Sequence, residues 1–172
     1  MSDTNHIEID AKNIDRLVSD YIRQNFAPLT EIKTILSPVV GLNSYNIDSF
    51  NFFNLFRKKK EETFSKMLFR LIVESGEKNS TIYTRANIDR RHFSKIASHD
   101  DYQPSKPTVL AFAIALKLDF DKTKALLASA GFTLTNSNLS DVIVSAFIEN
   151  KIFDIDLVNQ ILYKYNQPLL GG

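Results

Sequence analysis

Within six positions the chain places Arg90, Arg91, Ser94 and Lys95. A guanidinium is a planar fork of donors that fits both a guanine edge and phosphate oxygens. An ammonium or a hydroxyl holds phosphate oxygens and fixes register without forked readout. At helical spacing these four side chains lie near a helix start, while Phe93 and Ile96, three apart, face inward together. That arrangement suits the groove of a nucleic-acid duplex. The bland alternative is a solvated helix face.

Presenting such a face requires a tight turn in front of it. In TIYTRANIDRRHFSKIAS (81–98), Ala86 is the small apolar residue before the turn, and Asn87 is the side chain that best tolerates a left-handed backbone after glycine. Ile88 is an apolar plug, and Asp89 can cap the helix that follows. The first helix is expected at about 79–86 and the second from Asp89. A third follows Pro104, with Ser105 as cap and Pro107 tolerated in its first turn, which puts Lys106 at its head as a further phosphate contact. A fourth runs from Asp119 to Gly131, and two more span Ser140 to about Lys151 and Asp154 to about Asn166.

Upstream, Ile14, Leu17, Val18, Tyr21 and Ile22 form one helical stripe. Pro28, Pro38 and Gly41 break the chain, and no period is evident over about 37–47. Apolar residues recur helically from Asp48 to Ile72, with a stop at Gly76. Period-two alternation is absent, so the fold class is all-α. Three segments are expected: an N-terminal helical extension of unknown role (1–56), a helix-turn-helix domain (57–131) and a two-helix C-terminal extension (132–172).

Charge supports the division. Residues 1–56 carry four Lys/Arg against seven Asp/Glu, residues 57–131 fifteen against nine, and residues 132–172 two against four. A basic middle between acidic ends points to an anionic partner for the middle. With no cysteine, disulfides and thiolate zinc sites are excluded. No apolar run approaches the roughly 20 residues of a membrane helix, and the start MSDTNHIEID is acidic where a signal peptide is basic. The expectation is a cytoplasmic chain with no membrane partner.

Other features read more plainly. FNFFNLFRKKK (50–60 with Phe50) has the look of a basic-aromatic contact site, but Phe50, Phe53 and Phe56 at helical spacing favour core packing. His99, Asp100 and Asp101 are adjacent and do not converge on a metal. Lacking a thiol nucleophile, a Gly-rich phosphate loop or a recognisable serine motif, the chain reads as a non-enzyme with no cofactor and no metal. A faint likeness between NIDRLVSDYIRQNFAPL and DIDLVNQILYKYNQPLL needs a gap and is treated as chance.

Residues 63–131 resemble the phage-repressor-type (Xre-type) helix-turn-helix, with NIDRRHFSKI at its turn and recognition helix and PSKPTVLAFAIALKLDFDKTKALLASAGF at its fourth and fifth helices. SDVIVSAFIENKIFDIDLVNQILYKYNQPLLG resembles the two extra helices of a narrower bacterial group, often appended to other domains such as macro domains. The resemblance implies a transcriptional regulator binding double-stranded DNA as a homodimer. Two departures stand out: Tyr83 replaces a usual alanine at the helix–helix contact, and Asp100 and Asp101 stand where many members carry phosphate-binding cations. They motivate the alternative of a protein–protein adaptor that keeps the fold without DNA, gripping a partner through the helix over 14–25, the C-terminal pair or the tail QPLLGG. RNA binding is a weaker third reading.

Overall fold

Of the 172 residues, the computed structural model describes residues 11–27 and 62–171. The readings placed on Phe50–Phe56, the RKKK patch, Pro28, Pro38 and Gly41 lie outside the described residues. Every regular element described is a helix: α1 (Ala11–Asn25), α2 (Phe64–Ser75), α3 (Asn79–Arg85), α4 (Arg90–Ser98), α5 (Lys106–Ala115), α6 (Phe120–Ser129), α7 (Leu139–Glu149) and α8 (Ile155–Lys164). The all-α expectation holds, with boundaries within a residue or two of those read from caps and periodicity.

Helices α5 and α7 form the centre because their sequences are apolar on nearly every side. Thr108 to Ala115 and Asp141 to Ile148 are buried without interruption, the pattern of a helix surrounded by others. Around them, α3 and α8 pack on α5, α6 contacts α5 and α7, and α2 lies on α6. One continuous core runs from Ile14 to Leu170. Described residues of all three segments contribute to it.

Helix α1 illustrates this sharing. Ile14 and Val18 are buried, and α1 lies along α7. Ser19 Oγ and Tyr165 Oη are 3.0 Å apart, and the Ala27 N–H donates to the Asn136 carbonyl at 2.9 Å. Burial, reinforced by the neighbouring Glu149 carboxylate, pushes the Tyr21 phenol up to about 12. The stripe expected on this helix is real, but its central residues cover the chain's own α7.

A single helix-ending turn recurs at Asn87, Lys117, Gly131, Lys151 and Asn166, and at three of these it leads within three residues into a helix capped by aspartate. Asn87, Lys117 and Lys151 each end a helix in the left-handed region, at φ 53°, 53° and 57°. The next residues, Ile88, Leu118 and Ile152, donate their N–H groups back to the carbonyls of Tyr83, Ala113 and Phe147 at 2.9, 3.0 and 2.9 Å. These are 6→1 bonds that satisfy otherwise orphaned helix-end carbonyls. An aspartate then caps the following helix: Asp89, Asp119 and, after one inserted residue, Asp154. Pairs α3–α4, α5–α6 and α7–α8 are thus three versions of one hairpin.

Candidate nucleic-acid interface

The α3–α4 hairpin holds the basic residues, and its inner side explains why they point outward. Phe93 is buried, with its ring centroid 5.5 Å from Phe69 of α2, 5.1 Å from Tyr83 of α3 and 6.1 Å from Phe112 of α5. One aromatic side chain therefore anchors α4 to three helices, an arrangement whose loss on truncation to alanine costs about 3–5 kcal/mol. Ile96 is fully buried one turn on. Tyr83 is half-buried and packs its ring on Phe93.

With that side inward, Arg90, Arg91, Ser94 and Lys95 are all exposed. None of the three cations forms an ion pair among the described residues. The Asp89 carboxylate accepts from the N–H groups of Arg91 at 2.7 Å and His92 at 3.0 Å. The His92 and Arg91 N–H bonds, with the charges of both residues beside them, hold the Asp89 carboxyl below its ordinary value. The helix start that carries the arginines is therefore fixed by local chemistry. Its far side is tied down by His92 Nε2, 2.8 Å from the Tyr102 hydroxyl.

Lys106 departs from the sequence reading. Its Nζ lies 2.6 Å from Oδ2 of Asp141, whose side chain is 2% exposed and which also accepts from the Thr135 N–H at 2.9 Å. A buried carboxylate without a counter-charge is costly, so the ammonium is drawn toward Asp141 across α5 and α7. Nothing in the local sequence links positions 106 and 141.

The acidic loop is less unfavourable than its sequence implied. Lys66 of α2 lies 2.7 Å from Asp100 Oδ2, so one of the two carboxylates carries its own cation. Asp101 is exposed. Sequence reasoning misses Lys66 because the signal is purely tertiary: Ser65 Oγ also donates to the His99 carbonyl, which brings the start of α2 against this loop.

The adaptor surfaces expected from sequence are partly occupied within the chain itself. The centre of the α1 stripe is buried, and in the tail Leu170 is buried while Leu169 is about half exposed. Among the described residues no cluster of three or more metal-ligating side chains occurs, and no helix is long and apolar enough to cross a membrane. Compared with known proteins, the chain is matched by no family model, no curated protein and no solved structure.

Proposed function

We propose that this chain is a DNA-binding transcriptional regulator whose α4, starting after the Asp89 cap, enters the major groove of double-stranded DNA. The observation that carries the reading is a comparison inside the molecule. The second residue of the helix after the turn is Asp121 in α6 and Asp156 in α8, but Arg91 in α4, with Arg90 before it. Acids near a helix N-terminus are favoured by the macrodipole and cations are disfavoured. Two hairpins of the same turn design follow the stabilising choice. The third gives it up for two exposed guanidinium groups.

In this reading Arg90 and Arg91 reach base edges, while Ser94 and Lys95 hold phosphates. A two-fold site requires two copies of the chain. The test is the salt dependence of binding to random duplex DNA, wild type beside an Arg90→Ala/Arg91→Ala/Lys95→Ala variant. A negative slope is expected for the wild type, flattened in the variant by up to roughly 0.9 for each phosphate that it no longer neutralises. Equal slopes for the two proteins, or no binding by the wild type at low salt, would reject the reading.

A further inference from the structure

The segment that follows α8 folds back onto the α3–α4 turn. Asn159, in the middle of α8, holds both backbone groups of Leu170: the Leu170 N–H donates to Asn159 Oδ1 at 2.8 Å, and Asn159 Nδ2 donates to the Leu170 carbonyl at 3.1 Å. The Leu170 side chain is 4% exposed and belongs to the common core. Gly171 then passes against the turn at φ 101°, a conformation costly for any residue with a side chain. A Cβ there would lie 3.0 Å from the Asn87 carbonyl oxygen and 3.3 Å from that of Ala86. The start of α8 reaches the same place, with Asn87 Nδ2 3.4 Å from Asp156 Oδ1.

Asn87 and Ala86 are the residues whose backbone sets where α4 begins. Only Ile88 and the Asp89 cap separate them from Arg90. The α5–α6 turn is held as well, by Arg85 Nη1 donating to the Ala115 carbonyl at 2.8 Å, whereas the turn in front of the basic helix is the one that Gly171 and Asp156 reach.

We infer that residues 167–171, clasped by Asn159, are a positioning strap for the basic helix: they brace the Ala86–Asn87 turn and so set the orientation in which Arg90 and Arg91 meet DNA. The inference rests on the DNA-binding reading above for its consequence, but the coupling of strap to helix stands on its own geometry. Asn159 and Gly171 are positioning residues, since neither belongs to the basic face. Through them the α7–α8 hairpin, far along the chain, acts on the hairpin that carries the arginines.

The experiment is amide hydrogen exchange on the full chain, wild type beside Asn159→Ala and Gly171→Ala, with binding to random duplex DNA measured on the same samples. Alanine is a good helix former, so Asn159→Ala removes the clasp and leaves α8 intact. Amides from Ile88 to Phe93 are expected to exchange about tenfold faster in both variants, with those of Val142 to Ile148 unchanged. DNA affinity is expected to fall about three- to tenfold, while Tyr163→Ala, on the exposed side of α8, changes neither readout. Unchanged exchange at 88–93, or an equal rise throughout α7, overturns the strap's role. Faster exchange at 88–93 with undiminished DNA affinity overturns its role in orienting the arginines. A wild type that binds no DNA refutes the function proposed above, and the exchange result then decides the coupling alone.

Discussion

Replacing Arg91 by aspartate should make the protein more stable and a poorer DNA binder at the same time. Position 91 is the second residue of α4, where the equivalent residues of α6 and α8 are Asp121 and Asp156. Removing a cation from a helix N-terminus and installing an anion are each favourable by about 0.3–1 kcal/mol at a surface site. Arg91 also lies beside the Asp89 carboxylate and helps to keep it ionised, which offsets part of the gain. The net expectation is about 0.5–1 kcal/mol of added stability, or about 1–4 °C in melting temperature for a chain of this size. The pair of acids so created is already tolerated elsewhere, as Asp119 with Asp121 and Asp154 with Asp156.

Binding should move the other way. Loss of the guanidinium is expected to cost about 1–3 kcal/mol at a selected site, and an added carboxylate weakens attraction to any duplex. The assay is a thermal melt at low ionic strength, where the macrodipole is least screened, paired with a DNA titration in the same buffer. A lower melting temperature with unchanged binding would mean that Arg91 is structural. A higher one with unchanged binding would mean that the basic face is not the DNA contact. Either result refutes the reasoning.

Three further expectations rest on the same geometry. Lys106→Ala strands the buried Asp141 carboxylate and should cost about 3 kcal/mol in chemical denaturation, with no change in the salt slope of DNA binding by the folded protein. Lys117→Gly and Lys151→Gly relieve left-handed backbone at φ 53° and 57° and should each add about 0.5–1 kcal/mol to stability in melts. Tyr21 is held protonated in the folded state up to about 12, whereas an unfolded tyrosine ionises near its ordinary value of about 10. Its contribution is therefore complete below pH about 10 and is lost as pH rises toward 12, and Tyr21→Phe should flatten that part of the pH–stability curve.

Local rules carry the hairpins. Asn87, Asp89, Ser105, Asp119 and Gly131 mark turns and caps through backbone chemistry that acts within five or six residues, and each stands where such chemistry puts it. The equivalence of the three turns is not legible in the same way. Lysine at positions 117 and 151 hides a left-handed site that asparagine at 87 advertises, and Phe153 breaks the spacing in the third copy. The faint likeness between the stretches around α1 and α8 is one of helical stripe, which any amphipathic helix shares.

Pairings distant in the chain are beyond any local signal. Lys106 meets Asp141, Lys66 meets Asp100, and Leu170 returns to Asn159 and the Asn87 turn. The sequence by itself determined that the described chain is helical, where most of its helices begin and end, and which face of α4 is cationic. Periodicity and capping settle these within a few residues of chain. Only the tertiary structure decided that α1 and α8 complete the same core, that Lys106 is drawn toward Asp141, and that the basic helix is braced by a distant strap. A buried charge or an exposed turn takes whatever partner the packed fold brings within reach, and that choice depends on the whole chain at once.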